Sequence, residues 1–301
     1  MNFLNKQYTQ EGLKLALPVM LTQVGQVSVN LFDNIIVGKL LGAQALASVS
    51  LGNALFFSIF VLALGFSFAI PPLVSEANSQ KKHDVINSVF RHGFVINLGI
   101  GTLLMIFLLA ALPLIYHMDQ PKEIIPNTIS FLSIMAFTMI PFMMFQTLRE
   151  VSEGLSFTIG VTKATIIANV INIALNYVFI KGLFGLPAMG VQGSALATLI
   201  ARIFMVVFLY FVLVKEPKTR RYIKEFSLKI SEFSKEMFSK MIKLGFPTAM
   251  QMFFEVTAFA AAAFICGLIS STDIASHQIA LSMASFTFNP VSYTHLRAHE
   301  T

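Results

Sequence analysis

The sequence predicts an all-α integral membrane protein, and three observations carry that reading. The chain is 55% hydrophobic and only 12% charged, with a mean hydropathy of +0.74, a membrane composition rather than that of a soluble globule. Apolar runs of about 20 residues, the length that crosses a bilayer core, recur along it. These runs are continuous and too long for the alternating segments of a membrane barrel.

The elements follow in order. Runs near 15–38, 48–74, 94–116, 128–148, 164–184, 194–214 and 244–269 read as spans, and a further one begins near 276. The opening MNFLNKQYTQEGLKLALPVM has no small-residue cleavage site before its first apolar run, so that run is expected to be a retained span and not a signal peptide. Pro18 and Pro141 free backbone carbonyls and mark bending points. A single cysteine, Cys266, excludes a disulfide framework. With no Trp, the 30 Phe and 6 Tyr must supply any aromatic belt.

The net charge of +6 follows membrane topology and does not point to nucleic acid. Lys6, Lys14, Lys81, Lys82, Arg91, Arg149, Lys163 and the 215–243 cluster fall on one side, and Lys39, Lys122 and Lys181 on the other. The positive-inside rule then places the N-terminus, the 75–90 and 149–163 loops and residues 215–243 in the cytoplasm, as in a multi-pass protein of the inner (plasma) membrane.

Residues 1–214 read as an N-terminal lobe of six spans, 215–243 as a basic linker and 244–290 as the start of a second lobe. The linker holds nine Lys/Arg against four Glu, a net +5. Its Ile223, Phe226, Ile230, Phe233, Met237 and Met241 recur every three or four residues, which predicts an amphipathic helix on the anionic inner leaflet. An internal repeat supports the two-lobe division: Lys14-Leu15-Ala16-Leu17-Pro18 recurs as Lys243-Leu244-Gly245-Phe246-Pro247, and Gly38 as Gly267, both at an offset of 229. Six spans separate the copies, which implies parallel repeats and two six-helix bundles.

Only Asp33 and Glu255 among the carboxylates lie well inside apolar runs. A charge at the middle of a span costs several kcal/mol and is retained where transport uses it. Asp33 ends a stripe of Gln23, Gln26 and Asn30 spaced for one helical face; Thr165, Asn169, Asn172 and Asn176 repeat the device in the fifth span. Thr248, Gln251 and Glu255 do so in the seventh, and Thr198 and Arg202 in the sixth. Such stripes must face the bundle interior, either as interhelical hydrogen bonds or as a cation site. In the second case Asp33 supplies charge and Asn172, Asn176 and Thr198 neutral oxygens, the shell a hard cation prefers. By the repeat, Glu255 superposes on Gln26, so both acids are expected to face one central cavity with Gln26, Asn30 and Gln251 near the substrate. Arg202 is expected to pair with a carboxylate or a carbonyl.

Enzyme signatures are missing. There is no H-E-x-x-H, P-loop or G-x-G-x-x-G, and Thr158 breaks the nucleophile-elbow pattern begun at Gly154. His83, His92, His117 and His277 lack ligand spacing, so no metal is expected beyond a Na⁺ at Asp33, and no cofactor. Without ATPase machinery, any pumping must run on an ion gradient.

These residues resemble the MATE (multidrug and toxic compound extrusion) family and its NorM-like branch. The run LPVMLTQVGQVSVNLFDNIIVGKLLGAQALASVSL is similar to the family's first helix, with Asp33 at its intramembrane acid and Pro18 at its bending proline. EGLSFTIGVTKATIIANVINIALNYVFIKGLFGLPAMGVQGSALATLIAR resembles its fourth-to-sixth-helix signature, and FPTAMQMFFEVTAFAAAAFICGLI and ASHQIAL its seventh and eighth helices, with Glu255 on the NorM-type acid. The resemblance implies twelve helices in two lobes and export of drugs or organic cations in exchange for Na⁺ or H⁺, by a monomer. It also implies a cation site at Asp33, Asn172, Asn176 and Thr198, with Glu255 serving a second one. On that pattern the sequence is C-terminally truncated, holding the first lobe, the seventh helix and part of the eighth. Val291–Thr301, VSYTHLRAHET, departs from the pattern and resembles translated sequencing adapter. A lipid-linked saccharide flippase of the same superfamily is the nearest alternative, expected to line its cavity with basic residues; a non-transporting membrane scaffold is the other.

Overall fold

The computed structural model describes residues 32–118 and 121–269, and among them every regular element is helical. Pro18, Gln23, Gln26, Asn30, the span expected from 276 and Val291–Thr301 lie outside the described residues. The helices are α1 (described over 32–41), α2 (Ala43–Ser67), α3 (Ile70–Ser79), α4 (His83–Ala111), α5 (Ile125–Phe137), α6 (Met139–Gly154), α7 (Ile159–Lys181), α8 (Gly190–Lys215), α9 (Pro217–Lys224) and α10 (Lys235–Ile269). By length and composition the α2–α3 unit, α4 with its 3₁₀ extension, α7 and α8 can cross a membrane, and α5 with α6 makes a fifth if read as one bent span.

The five spans expected between 48 and 214 are found with revised ends; the first, expected near 15–38, is described only from residue 32, and the run at 244–269 lies within α10. Gly42 alone separates α1 from α2; its φ of 86° is the left-handed conformation that only glycine adopts freely. The second span is broken where Pro71 and Pro72 open α3, since neither can donate to the preceding turn. The fourth span bends by 40° between α5 and α6. Pro141 is the cause: it has no N–H for the carbonyl four residues back, so the helix breaks at Thr138, whose hydroxyl caps Met135 O at 2.6 Å.

The packing is that of a bundle in lipid. Leu103, Ile106 and Phe107 on α4, Ile166 and Val170 on α7, and Ile203, Val207 and Phe211 on α8 are exposed. Thr165, Asn172 and Asn176 of the polar stripe are buried, as are Met139, Met143 and Phe145, which fill the space between α6 and its neighbours. Apolar residues outside and polar ones inside is the arrangement that leaves no unpaired polar group in hydrocarbon. α2 and α10 cross closely, where a Cβ on Gly65 would overlap the backbone of Ala249.

The amphipathic helix expected over 215–243 is not one helix. α9 ends at Lys224, a short 3₁₀ turn covers Ile230–Glu232, and α10 starts at Lys235, nine residues before its expected span. The cause is a tertiary contact that overrides the local period: the apolar positions pack on α4 instead of forming a continuous lipid-facing stripe. Phe226 packs at a tilt on Phe90 and edge-on to Phe94 (4.7 and 5.3 Å between centroids), Phe233 edge-on to His92 at 5.1 Å, and Ile223 and Met241 are buried, whereas Ile230 is 89% exposed.

His83, Asn87 and Arg91 of α4, spaced four apart on one face, fasten the segment like a strap. His83 Nδ1 meets Tyr222 Oη at 2.7 Å, Asn87 Nδ2 donates to Glu225 Oε2 at 2.8 Å, and Arg91 pairs with Glu232 at 2.7 Å while also donating to its carbonyl at 2.8 Å. The Asn87 bond, with help from Arg221, holds the Glu225 carboxyl below its ordinary range. Buried His92 closes the strap by accepting Ser234 N–H at 2.9 Å. Arg91→Ala is expected to loosen residues 230–234 by about 1.5–3 kcal/mol, the worth of a hydrogen bond to a charged group. Amide exchange should then quicken there and leave α7 and α8 unchanged.

Candidate functional site

The site is assembled by α1, α7 and α8. Asp33 lies in the first described turn of α1 and is 6% exposed. On α7, Asn172 and Asn176 are one turn apart, so both side chains leave the same face. α8 packs extensively on α7 and brings Thr198 to that face. Asn176 Nδ2 donates to Asp33 Oδ1 at 2.7 Å and reaches Asn172 Oδ1 at 3.2 Å. Asn172 Nδ2 in turn donates to Thr198 Oγ1 at 3.2 Å, and that hydroxyl donates to Ser194 O at 3.2 Å.

The network places one carboxylate, two amide oxygens and one hydroxyl within a few ångströms, all buried. Asn176 Oδ1 is buried without a hydrogen-bond partner, although its amide nitrogen holds Asp33. A buried, unpaired carbonyl-type oxygen beside a carboxylate costs free energy unless something positive meets it. The donor set is all oxygen, which suits Na⁺ or a proton and not a soft metal.

Asp33, Asn172, Thr198 and Asn169 open onto a cavity of about 600 Å³, the size of a small-molecule site. Half of the residues in its apolar wall are phenylalanines: Phe56, Phe57, Phe60, Phe68, Phe131 and Phe142. Arg202 enters from α8. Its partner is neither a carboxylate nor a carbonyl, as expected from sequence, but the Thr138 hydroxyl, to which Nη1 donates at 2.5 Å. The rings of Phe56, Phe60 and Phe142 surround the guanidinium at 5.2, 5.7 and 4.8 Å.

Glu255 and Gln251 are not brought to this cavity. Both are exposed, and the wall from α10 is Met252. α10 turns Gly245, Ala249 and Met252 toward α2 and the cavity. Glu255, six residues past Ala249, is rotated by about a third of a turn from it at about 100° per residue. The expectation that both acids face one shared cavity is therefore corrected for the described residues.

A buried charged cluster at the end of α6 was not anticipated. Arg149, expected in a cytoplasmic loop, is 3% exposed and bonds Glu153 at 2.7 Å. Glu150, among the acids assigned to connections or helix ends, is fully buried and accepts Gln146 Nε2 at 3.3 Å. The signal was present as two interleaved i,i+4 polar pairs, 146/150 and 149/153, running back into an apolar helix. Gln146 and Arg149 reach the cavity wall.

Comparison with known proteins agrees with this architecture. The chain is 33% identical to the multidrug resistance protein NorM of Photobacterium profundum, over 94% of the chain and 61% of that protein. It is 32% identical to a probable multidrug resistance protein NorM of Shewanella oneidensis, over 92% of the chain and 60% of that protein. It thus spans about three fifths of the length of these relatives. Among solved structures, the eukaryotic MATE transporter AtDTX14 superposes with a TM-score of 0.81 at 16% identity, covering 94% of the chain and 62% of that structure. An outward-facing multidrug resistance MATE family transporter superposes with a TM-score of 0.79 at 21% identity, covering 93% and 61%. These two likenesses show a shared fold. The MatE family model itself matches residues 18–178, more than half of the 301 residues and including Asp33, Asn172 and Asn176, and on that match the chain belongs to the MatE family.

Proposed function

We propose that the chain supplies the Asp33-bearing lobe of a cation-coupled antiporter that exports drug-like organic cations across the inner membrane, its N-terminus cytoplasmic. The observation that carries this reading is the Asp33 carboxylate, buried with Asn172, Asn176 and Thr198 at the edge of a phenylalanine-lined cavity of about 600 Å³. Such a carboxylate has two fates. It binds Na⁺ or H⁺ in its oxygen shell, or it attracts an organic cation whose apolar body the rings receive by stacking and cation–π contact. Both ligands want the same negative charge, so each displaces the other, and exchange follows if they favour opposite conformations.

No covalent step is required, and we assign no catalytic residue. Gln26 and Asn30 are proposed as further polar positions along the substrate path and Pro18 as a bending point; Gln251 and Glu255, which lie off the cavity wall, are given no part in it. A saccharide-lipid flippase fits less well, because one of the two arginines in the cavity wall, Arg149, is bound to Glu153 and the other is enclosed by rings.

The reading is tested in everted membrane vesicles from cells expressing the gene that encodes this chain. With an organic-cation dye, transport should accelerate when a Na⁺ or H⁺ gradient is imposed and return to the vector level when an ionophore collapses it. Dye movement indifferent to both gradients would overturn the proposal.

A further inference from the structure

Arg202 stands apart from the other cation in the cavity wall. Arg149 has a carboxylate partner in Glu153, whereas Arg202 forms no ion pair among the described residues. It lies one turn beyond Thr198 on α8, so it shares the face that α8 presents to Asp33. Arg202 and Asp33 line the same cavity. The guanidinium is nevertheless held by Thr138 Oγ1 at 2.5 Å and by the rings of Phe56, Phe60 and Phe142. The side chain is long and flexible and carries five donors, of which one bond is made, to Thr138.

We propose that Arg202 is a positioning residue for the Asp33 site, a tethered cation that competes with the coupling ion for the carboxylate and is parked at Thr138 when that ion is bound. The inference rests on the cation-site reading above and adds the means of release. A buried carboxylate left to its oxygen shell would hold its ion too firmly to turn over, and a mobile positive charge within the same wall lowers that affinity. The parking position is set by Thr138, the residue at which the 40° bend between α5 and α6 occurs. Occupation of Asp33 therefore biases the contact between α8 and that bend, a physical link between ion binding and helix geometry. The cage has a second consequence: a guanidinium between Phe56, Phe60 and Phe142 fills the place an organic cation would take, so the parked state disfavours substrate there.

The test is the rate at which N,N′-dicyclohexylcarbodiimide, a hydrophobic reagent for protonated carboxyl groups, labels Asp33 in the purified chain, read by peptide mass across pH and Na⁺ concentration. A neighbouring opposite charge shifts a carboxyl protonation equilibrium by about tenfold or more. Arg202→Gln should therefore speed labelling by about tenfold and require less Na⁺ for protection, with Arg202→Lys returning part of the way. Thr138→Val, which keeps the arginine but removes its anchor, should do the opposite and slow labelling several-fold, roughly within the same range. A merely structural role for Arg202 would not reverse sign between the two variants. If wild-type labelling responds to Na⁺ or pH but both variants match it, the positioning role fails and the cation site stands. If wild-type labelling responds to neither, the cation site fails and this inference with it.

Discussion

Asp33→Asn is expected to abolish gradient-driven dye export while the protein still inserts and folds. The substitution preserves shape and keeps an oxygen for Asn176 Nδ2, so the 2.7 Å contact that ties α1 to α7 survives. What it removes is the negative charge for which the coupling ion and an organic cation are proposed to compete. Eliminating a buried charge also eliminates its desolvation penalty, so stability should change by less than about 1 kcal/mol or even rise. The measurement is dye efflux beside thermal unfolding of the purified protein, each against wild type. Export at the wild-type rate by a well-folded Asp33→Asn protein would exclude Asp33 from coupling.

Glu153→Ala is expected to have the largest effect on stability. Arg149 is 3% exposed, and its Nε sits 2.7 Å from Glu153 Oε1. Breaking a buried ion pair from one side strands the other charge, which typically costs about 3–5 kcal/mol. The lower end applies here, because Gln146 Oε1 also accepts from Arg149 at 3.4 Å and Glu150 is adjacent. A loss of about 3 kcal/mol should appear as a lower unfolding midpoint of the purified protein. The double variant Arg149→Leu with Glu153→Leu should recover most of it, since replacing both partners by apolar groups is often neutral. A single variant as stable as wild type would show that the pair is not a structural tie.

These two predictions divide between what could be read early and what could not. The Asp33 site was legible because its signals are local: a carboxylate within an apolar run, and Asn172 and Asn176 at helical spacing on a second run. A membrane makes such signals unusually sharp, since a polar stripe has nowhere to go but inward. The 149/153 pair gave a weaker signal, because charges near a span end are ordinarily solvated, and nothing local says that α3 and α4 will cover them.

Glu255 shows the limit of analogy along the chain. Its position by internal repeat suggested a shared cavity with Asp33, but the face that α10 turns inward is decided by its contact with α2, where Gly65 admits the backbone of Ala249. The linker shows the same limit in another form. Its apolar period predicted one surface helix, but Phe226 and Phe233 dock on α4 instead and the helix is interrupted.

By itself the sequence determined the helical membrane class, the approximate spans between 48 and 214, the buried acid and the polar residues gathered beside it, because hydropathy and helical period act within a single segment. Only the tertiary structure decided that Arg202 is parked among phenylalanines at the α5–α6 bend, that Arg149 and Glu150 are buried, and that α4 carries the strap. Those outcomes depend on which helix faces meet, and that is settled by packing between segments far apart in the chain, which no local period encodes.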